Sequence, residues 1–270
     1  IAGMRHKLGL YVNLRPVKLY HESMCPLKGK TPADIDILFL RENTEDAYAG
    51  IHGTTKKDTD YEIAHQSMVY TARGTERIIR HAFELAVKRG PKKGREKPMV
   101  TLIDKANAVR AQDIWTRIFA KVAKEYPGVA TDHAYIDAAC MWLIKQPEWF
   151  DVCVTTNLFG DIITDLGAML IGGMGIASSG NIHPGKVSMF EGSHGSAPKY
   201  KGTDKASPLA TILAMGLMLD HIGQPQAAKE LEATVADLIQ KGRIRSLKAG
   251  DHKCSELGSM VRDELLARSK

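Results

Sequence analysis

Asp161 and Asp165 are two carboxylates four residues apart in Asn157-Leu158-Phe159-Gly160-Asp161-Ile162-Ile163-Thr164-Asp165, directly after the apolar run Val152 to Thr155. On a helix that spacing puts both side chains on one face, where they can share a hard cation. Tyr135-Ile136-Asp137-Ala138-Ala139 offers a third carboxylate in an apolar setting. An all-oxygen donor set of this kind suits Mg²⁺ or Mn²⁺ rather than zinc. One Asp at a helix start is more often a cap or a partner of the helix dipole. A pair is different, because like charges at i,i+4 repel by about 0.2–0.5 kcal/mol, a cost that a purely structural helix has no reason to carry.

Other residue types fit the same chemistry. Arg5 and Arg15 bracket a strand-like stretch and Arg41 follows a second one. A planar guanidinium grips a carboxylate through two parallel hydrogen bonds, so three such arginines suit a substrate with more than one carboxylate. Lys105, at a strand end between Asp104 and Ala106, carries an ammonium whose pKa falls on desolvation, which fits it to accept a proton. Tyr48, in Asp46-Ala47-Tyr48-Ala49-Gly50, can donate a phenolic one. Each alone would be an ordinary salt bridge or structural side chain; their joint occurrence with the acids carries the functional reading. Phe190 to Tyr200 is rich in small residues, so backbone N–H groups there can approach a nucleotide closely. No G-x-G-x-x-G follows a strand, so the usual dinucleotide fingerprint is absent. Gly172-Gly173-Met174-Gly175 lies in an apolar run and reads as close packing of helix or strand.

The elements that must position these residues are strands alternating with helices, an α/β class. Ile35 to Leu40, Met99 to Ile103 and Val152 to Thr155 each run into a polar cluster, as expected where a site forms at the carboxyl ends of strands in an open sheet. Apolar residues at helical spacing predict helices over Thr75 to Arg89, Leu209 to Leu219 and Gln226 to Lys241. Ser207-Pro208 reads as the cap and first residue of the second of these. Tyr48 to Ile63 is polar and Gly/Thr-rich, a hairpin or exposed arm.

Composition bounds the rest. With 44% hydrophobic and 25% charged residues, 270 residues make an ordinary globular chain rather than a disordered one. The longest apolar run, Leu166 to Ala177, contains four glycines and is shorter than the roughly 20 residues of a membrane span. The net charge of +6 is compatible with nucleic acid or with small polyanions. Aromatic residues are only 6% and no basic-aromatic platform appears, which argues against nucleic acid. The one dense basic run, Lys88 to Lys97, reads as a solvated loop. Cys25, Cys140, Cys153 and Cys254 show no C-x-x-C spacing, so reduced thiols and a cytoplasmic location are expected. Ile1 is not a natural start, and further sequence upstream is expected.

The chain resembles the β-decarboxylating hydroxyacid dehydrogenases, the family of 3-isopropylmalate, isocitrate, homoisocitrate and tartrate dehydrogenases. Carrying the resemblance are NLRP at Asn13 to Pro16, RENTEDAYAG at Arg41 to Gly50, DKAN at Asp104 to Asn107, NLFGDIITDLGA at Asn157 to Ala168 and HGSAPKY at His194 to Tyr200. It implies two open α/β domains with a site in the cleft between them and a non-Rossmann dinucleotide site. Residues 1–10 with 172–270 would form the cofactor domain, lacking the family's opening βαβ segment, and 11–171 the substrate, metal and dimerisation domain. By the same resemblance Arg5, Arg15 and Arg41 bind substrate carboxylates, Tyr48 protonates the enol left by decarboxylation, and Lys105 serves in deprotonating the hydroxyl. Asp137, Asp161 and Asp165 hold the dication. Asn107, Glu191, His194, Gly195, Ser196, Ala197, Lys199, Tyr200 and Ser207 face the nicotinamide dinucleotide.

The implied assembly is a homodimer, with a tetramer as the alternative, in which Lys105 and Asp137 reach the neighbouring subunit's site. Lys199 argues for the 2′-phosphate of NADP over NAD. Two positions depart from the family pattern: Ser207 replaces an Asn, and Gly192-Ser193 replace Pro-Val. RENTED is closer to isocitrate and tartrate members. The ending around Arg245 to Gly250 and the stretch Ser179 to Gly185 are closer to 3-isopropylmalate members, which are the expected substrate group. A non-catalytic relative is the competing expectation; the presence of Tyr48, Lys105 and all three aspartates speaks against it.

Overall fold

Residues 2–268 are described by a computed structural model. The expected outer domain limits at 1 and 270 lie outside them. In chain order the elements are α1 (Ala2–Lys7), β1 (Val12–Lys18), β2 (Asp36–Glu42), β3 (His52–Thr55), β4 (Ile63–Gln66), α2 (Ala72–Arg89), β5 (Met99–Asp104), α3 (Asp113–Ala123), β6 (Ala130–Tyr135) and α4 (Ile136–Lys145). After these come β7 (Val152–Thr155), α5 (Asn157–Leu170), β8 (Ser178–Ile182), β9 (Met189–Gly192), α6 (Leu209–His221), α7 (Pro225–Gln240) and α8 (Cys254–Arg268).

Seven strands form one sheet in the order β6-β5-β7-β2-β1-β8-β9, and β3 pairs with β4 in a separate hairpin. The β6-β5-β7-β2 half is parallel. From β1 onward the pairings are antiparallel. Register brings Arg41 opposite Thr155 and Ile103 opposite Thr155, so β2, β5 and β7 end level with one another. That is why the polar clusters after these strands gather on one rim.

Both faces of the inner strands β5, β7 and β2 are covered, and these strands are accordingly mostly apolar. On one face Ile37, Phe39 and Cys153 pack with Ile163 and Leu170 of α5 and with Leu231, Val235 and Leu238 of α7. On the other, Leu40, Val100, Leu102, Val152 and Val154 pack with Ile78, Ile79 and Phe83 of α2 and with Trp115 and Phe119 of α3. Each such buried side chain contributes about 1.5–3 kcal/mol of transfer free energy. Helix α2 starts three residues before the predicted Thr75, because the Thr71 side chain accepts from Gly74 N and so caps the helix. Among the described residues no helix is long and apolar enough to cross a membrane.

Local pattern and structure differ in three places. Arg5 does not border a strand; it lies on α1. Arg15 and Arg41 are inside β1 and β2 rather than at their boundaries, since each strand runs on through its arginine. The basic run 88–97 is not simply solvated. Lys92 donates to Phe150 O at 2.6 Å, Lys97 to Pro127 O at 3.1 Å, and Arg95 to the carbonyls of Glu148 and Trp149. Arg89 bridges Asp36 and the fully buried Asp151.

Candidate active site

The site is organised around Arg41, a fully buried guanidinium. It donates Nε and Nη2 to Asn157 Oδ1 at 3.0 and 2.7 Å, and Nη1 to Asp161 Oδ1 at 2.5 Å. Both acceptors lie in the first turn and a half of α5, so the helix start fixes the arginine that β2 delivers. Gly160 makes the approach possible, since a Cβ there would lie 2.5 Å from Arg41 Cγ. Burial, with Arg15 close by, lowers the Arg41 guanidinium to about 10, so it remains cationic at neutral pH.

Arg15 comes from the adjacent strand. Its Nε donates to Asn13 Oδ1 at 2.8 Å and its Nη1 to Thr164 Oγ1 at 2.7 Å. It pairs with Asp165 at 3.4 Å and with Asp161 at 3.6 Å. The two aspartates therefore stand together on one face of α5, as their spacing predicts, each facing a guanidinium. Burial, with the Asp161 charge beside it, raises the Asp165 carboxyl above its ordinary range, against the pull of Arg15. A group so placed gains from a nearby cation. Tyr48 donates its hydroxyl to Asp161 Oδ2 at 3.2 Å, and the Arg41 guanidinium lies 5.5 Å from its ring centre. Burial and the Asp161 charge raise its phenol, which stays protonated at neutral pH.

A cavity of about 260 Å³ opens over this cluster, lined by Arg5, Arg15, Arg41, Asp161, Glu191 and His194 among others. Arg5 pairs with Glu191 at 3.6 Å, and Glu191 accepts from Asn181 Nδ2 at 2.9 Å. Gly192 leaves room for the His194 ring, which a Cβ would meet at 2.5 Å. His194 and Gly195 thus reach the cavity wall. Ser196, Ala197, Lys199 and Tyr200 follow on an exposed loop, with Lys199 Nζ 4.9 Å from the Tyr200 ring centre. Ser207 gives its hydroxyl to Gly175 O at 2.8 Å and itself accepts from Leu209 N. It therefore stands one residue farther from the helix start than predicted.

Lys105 and Asp137 stand elsewhere. They pair with one another, Nζ to Oδ1 at 2.6 Å, and this hydrogen bond holds the Asp137 carboxyl below its ordinary range. Asn107 is exposed in the turn after Lys105. Among the described residues no three His, Cys, Asp or Glu side chains form a metal-holding group within one chain. Asp161 and Asp165 nevertheless fit a dication on donor chemistry: two partly exposed hard oxygen donors beside Arg15, one of them lining the cavity and the other destabilised as an anion.

A family model described as isocitrate/isopropylmalate dehydrogenase matches residues 1–261. The chain belongs to that family. It is 46% identical over 264 residues to a 3-isopropylmalate dehydrogenase of Thermobifida fusca, covering 97% of this chain and 72% of that one. It is 45% identical over 272 residues to a 3-isopropylmalate dehydrogenase of Streptomyces coelicolor, covering 99% and 74%. A crystal structure of isocitrate dehydrogenase from Methylococcus capsulatus matches the fold with a TM-score of 0.87 at 37% identity, over 98% of this chain and 76% of that one. The α/β fold expected from the motifs is therefore that of the isocitrate/isopropylmalate dehydrogenase family.

Within this family member the structure adds site residues that the motif reading passed over. Asn157 and Thr164 accept from Arg41 and Arg15, and Asn13 aligns the Arg15 guanidinium. All three lie inside motifs already noted. The available signal was a short polar side chain in an otherwise apolar strand or helix face.

Proposed function

We propose that the chain catalyses the oxidative decarboxylation of a 2-hydroxy polycarboxylate with reduction of a nicotinamide dinucleotide, with 3-isopropylmalate as substrate. Supporting the reaction class is one observation: Arg15, Arg41 and Asp161 line a single cavity, and Asp165 and the protonated Tyr48 are bonded to that cluster at its edge. The choice of 3-isopropylmalate rests on the relatives of that name; isocitrate is the second reading, from the structural neighbour, and tartrate or homoisocitrate the third.

Arg5, Arg15 and Arg41 bind the substrate carboxylates, and their fixed forks orient the carbinol carbon. Lys105 takes the hydroxyl proton. Asp161, Asp165 and Asp137 would hold a Mg²⁺ or Mn²⁺, which would supply Lewis-acid polarisation of the substrate oxygen, and the dinucleotide would supply the hydride acceptor. The cleaved carboxyl leaves as CO₂, and Tyr48 then delivers its proton to the carbon that lost it. Tyr48 suits that step because its surroundings keep it protonated.

Lys105 and Asp137 cannot serve the cavity of their own chain while they pair with one another, so we assign them to the site of a second copy. The surface beside them supports a homodimer. Met141 and Ile144 of α4, and Ile162 and Met169 of α5, are exposed large apolar residues on packed neighbouring helices. A tetramer would add a further contact to this dimer. Residues up to 10 with those from 172 form the cofactor side of the cavity, and 11–171 the substrate side. Lys199 gives NADP preference over NAD, and the four free cysteines fit a cytoplasmic setting.

The test is an assay of 3-isopropylmalate, isocitrate, homoisocitrate and tartrate with each dinucleotide, with Mg²⁺, Mn²⁺ or EDTA. Metal-dependent reduction with 3-isopropylmalate is the expected result. Failure of all four acids with metal present would end the catalytic reading.

A further inference from the structure

Asp46 is buried and has φ 71° and ψ −149°, a backbone region open in practice to glycine alone. What holds it there is the demand on its carboxylate. Oδ2 accepts from Leu158 N at 2.8 Å, in the first turn of α5, and Oδ1 accepts from Ala47 N at 2.8 Å, beside Tyr48. Oδ1 also accepts the Tyr70 hydroxyl at 2.7 Å. The Tyr70 oxygen accepts from Gln112 Nε2 at 2.7 Å, and Gln112 Oε1 accepts the backbone N–H of Lys105 at 2.7 Å. Gln112 is fully buried.

Every donor in this series points the same way, from the Lys105 amide toward the Asp46 carboxylate, so each bond polarises the next. Burial and the Asp46 hydrogen bond push the Tyr70 phenol far above its ordinary value, and it remains a donor throughout the neutral range. We infer that Asp46, Tyr70 and Gln112 form a largely buried brace whose role is positioning: it sets Tyr48 and the start of α5 against the turn that carries Lys105. The inference rests on the proposed roles of Tyr48 and Lys105. In the dimer those two residues serve different sites, so a single brace aligns the parts that one chain gives to both.

Tyr70→Phe in the complete protein removes the middle link and leaves the cavity untouched. The expected result is a fall in kcat of about tenfold or more with substrate KM within about twofold. Amide hydrogen exchange at Lys105 and at Leu158 should accelerate together in that variant. Asp46→Asn, which keeps an acceptor, should retain more activity than Asp46→Ala. A lowered Tm with unchanged kcat, or faster exchange at one end alone, would overturn the brace. Where the wild type turns over none of the acids, the functional reading fails and the exchange measurement still decides the brace. Should Tyr70→Phe not fold, Gln112→Met carries the same expectations.

Discussion

Around Arg41 the chain buries a guanidinium and meets it with Asn157 and Asp161, one turn apart on the same helix. Around Lys105 it leaves an ion pair whose carboxylate is two-thirds exposed, the Asp137 side chain at 67%. The Arg41 guanidinium is 2% exposed and its Asp161 partner 41%, so leaving that buried charge without its partner costs more than loss of an exposed pair, which contributes about 0–1 kcal/mol. The first region is therefore pre-organised and expensive to alter. The second can exchange its internal partner for another at little cost, as the role proposed for it at a second copy's site requires.

The largest effect that could break this contrast is on Lys105. Lys105→Met should lower kcat by about 10²–10⁴-fold, the range of general acid–base catalysis, and so should Tyr48→Phe. Co-expressing the two inactive chains should restore roughly a quarter of wild-type activity, because each mixed dimer has one site free of both changes. If each chain's site were self-contained, mixing would restore nothing. Asp161→Asn comes next. It takes a charge from Arg15, Arg41 and Tyr48 at once, and should slow turnover by about a hundredfold while raising the metal concentration needed for half-maximal rate. Unchanged metal dependence would contradict the assignment.

Gly160→Ala acts on the buried region alone. A methyl group against Arg41 should cost about 1–3 kcal/mol, read from the denaturant midpoint, and raise substrate KM. The smallest effect belongs to the exposed region. His133 Nε2 lies 3.0 Å from the Asp104 carboxylate, and that hydrogen bond raises the imidazole above its ordinary 6.5 against the opposing effect of burial. Because the folded value is raised, the stabilisation is complete below the unfolded value and disappears as pH rises through the folded one. The Tm advantage of wild type over His133→Gln should thus be largest at acidic pH and shrink through the neutral range. A difference that grew with pH would contradict the pairing.

The same contrast governs what the sequence could reveal. Asp161, Asp165, Asn157 and Thr164 sit on one helix, and a local pattern suffices to align them. Lys105 and Asp137 are also motif residues, but their mutual bond spans 32 positions and no periodicity records it. Strand β6, Ala-Thr-Asp-His-Ala-Tyr, alternates without an apolar face, and β8, Ser-Ser-Gly-Asn-Ile, has almost no apolar content. Each exists because a neighbour dictates it: β5 pairs along the whole of β6, and Asn13 donates to Ser179 and Asn181 of β8. Asp46 carried no visible signal, since a strained aspartate looks like any turn aspartate until its φ is known.

The basic run 88–97, the end of α2 and the loop after it, gives this fold an uneven sensitivity to proteolysis. Lys92, Arg95 and Lys97 are anchored to backbone carbonyls of other segments, so their side chains are withheld from the acidic specificity pocket of a trypsin-like protease. Lys56 and Lys57, at the tip of the β3–β4 hairpin, are exposed, with Lys56 lying over the Tyr61 ring. Within the densest run of cleavage sites in the chain, Lys92, Arg95 and Lys97 are thereby better held than the hairpin lysines, and first nicking is expected at the hairpin or at the exposed Lys93.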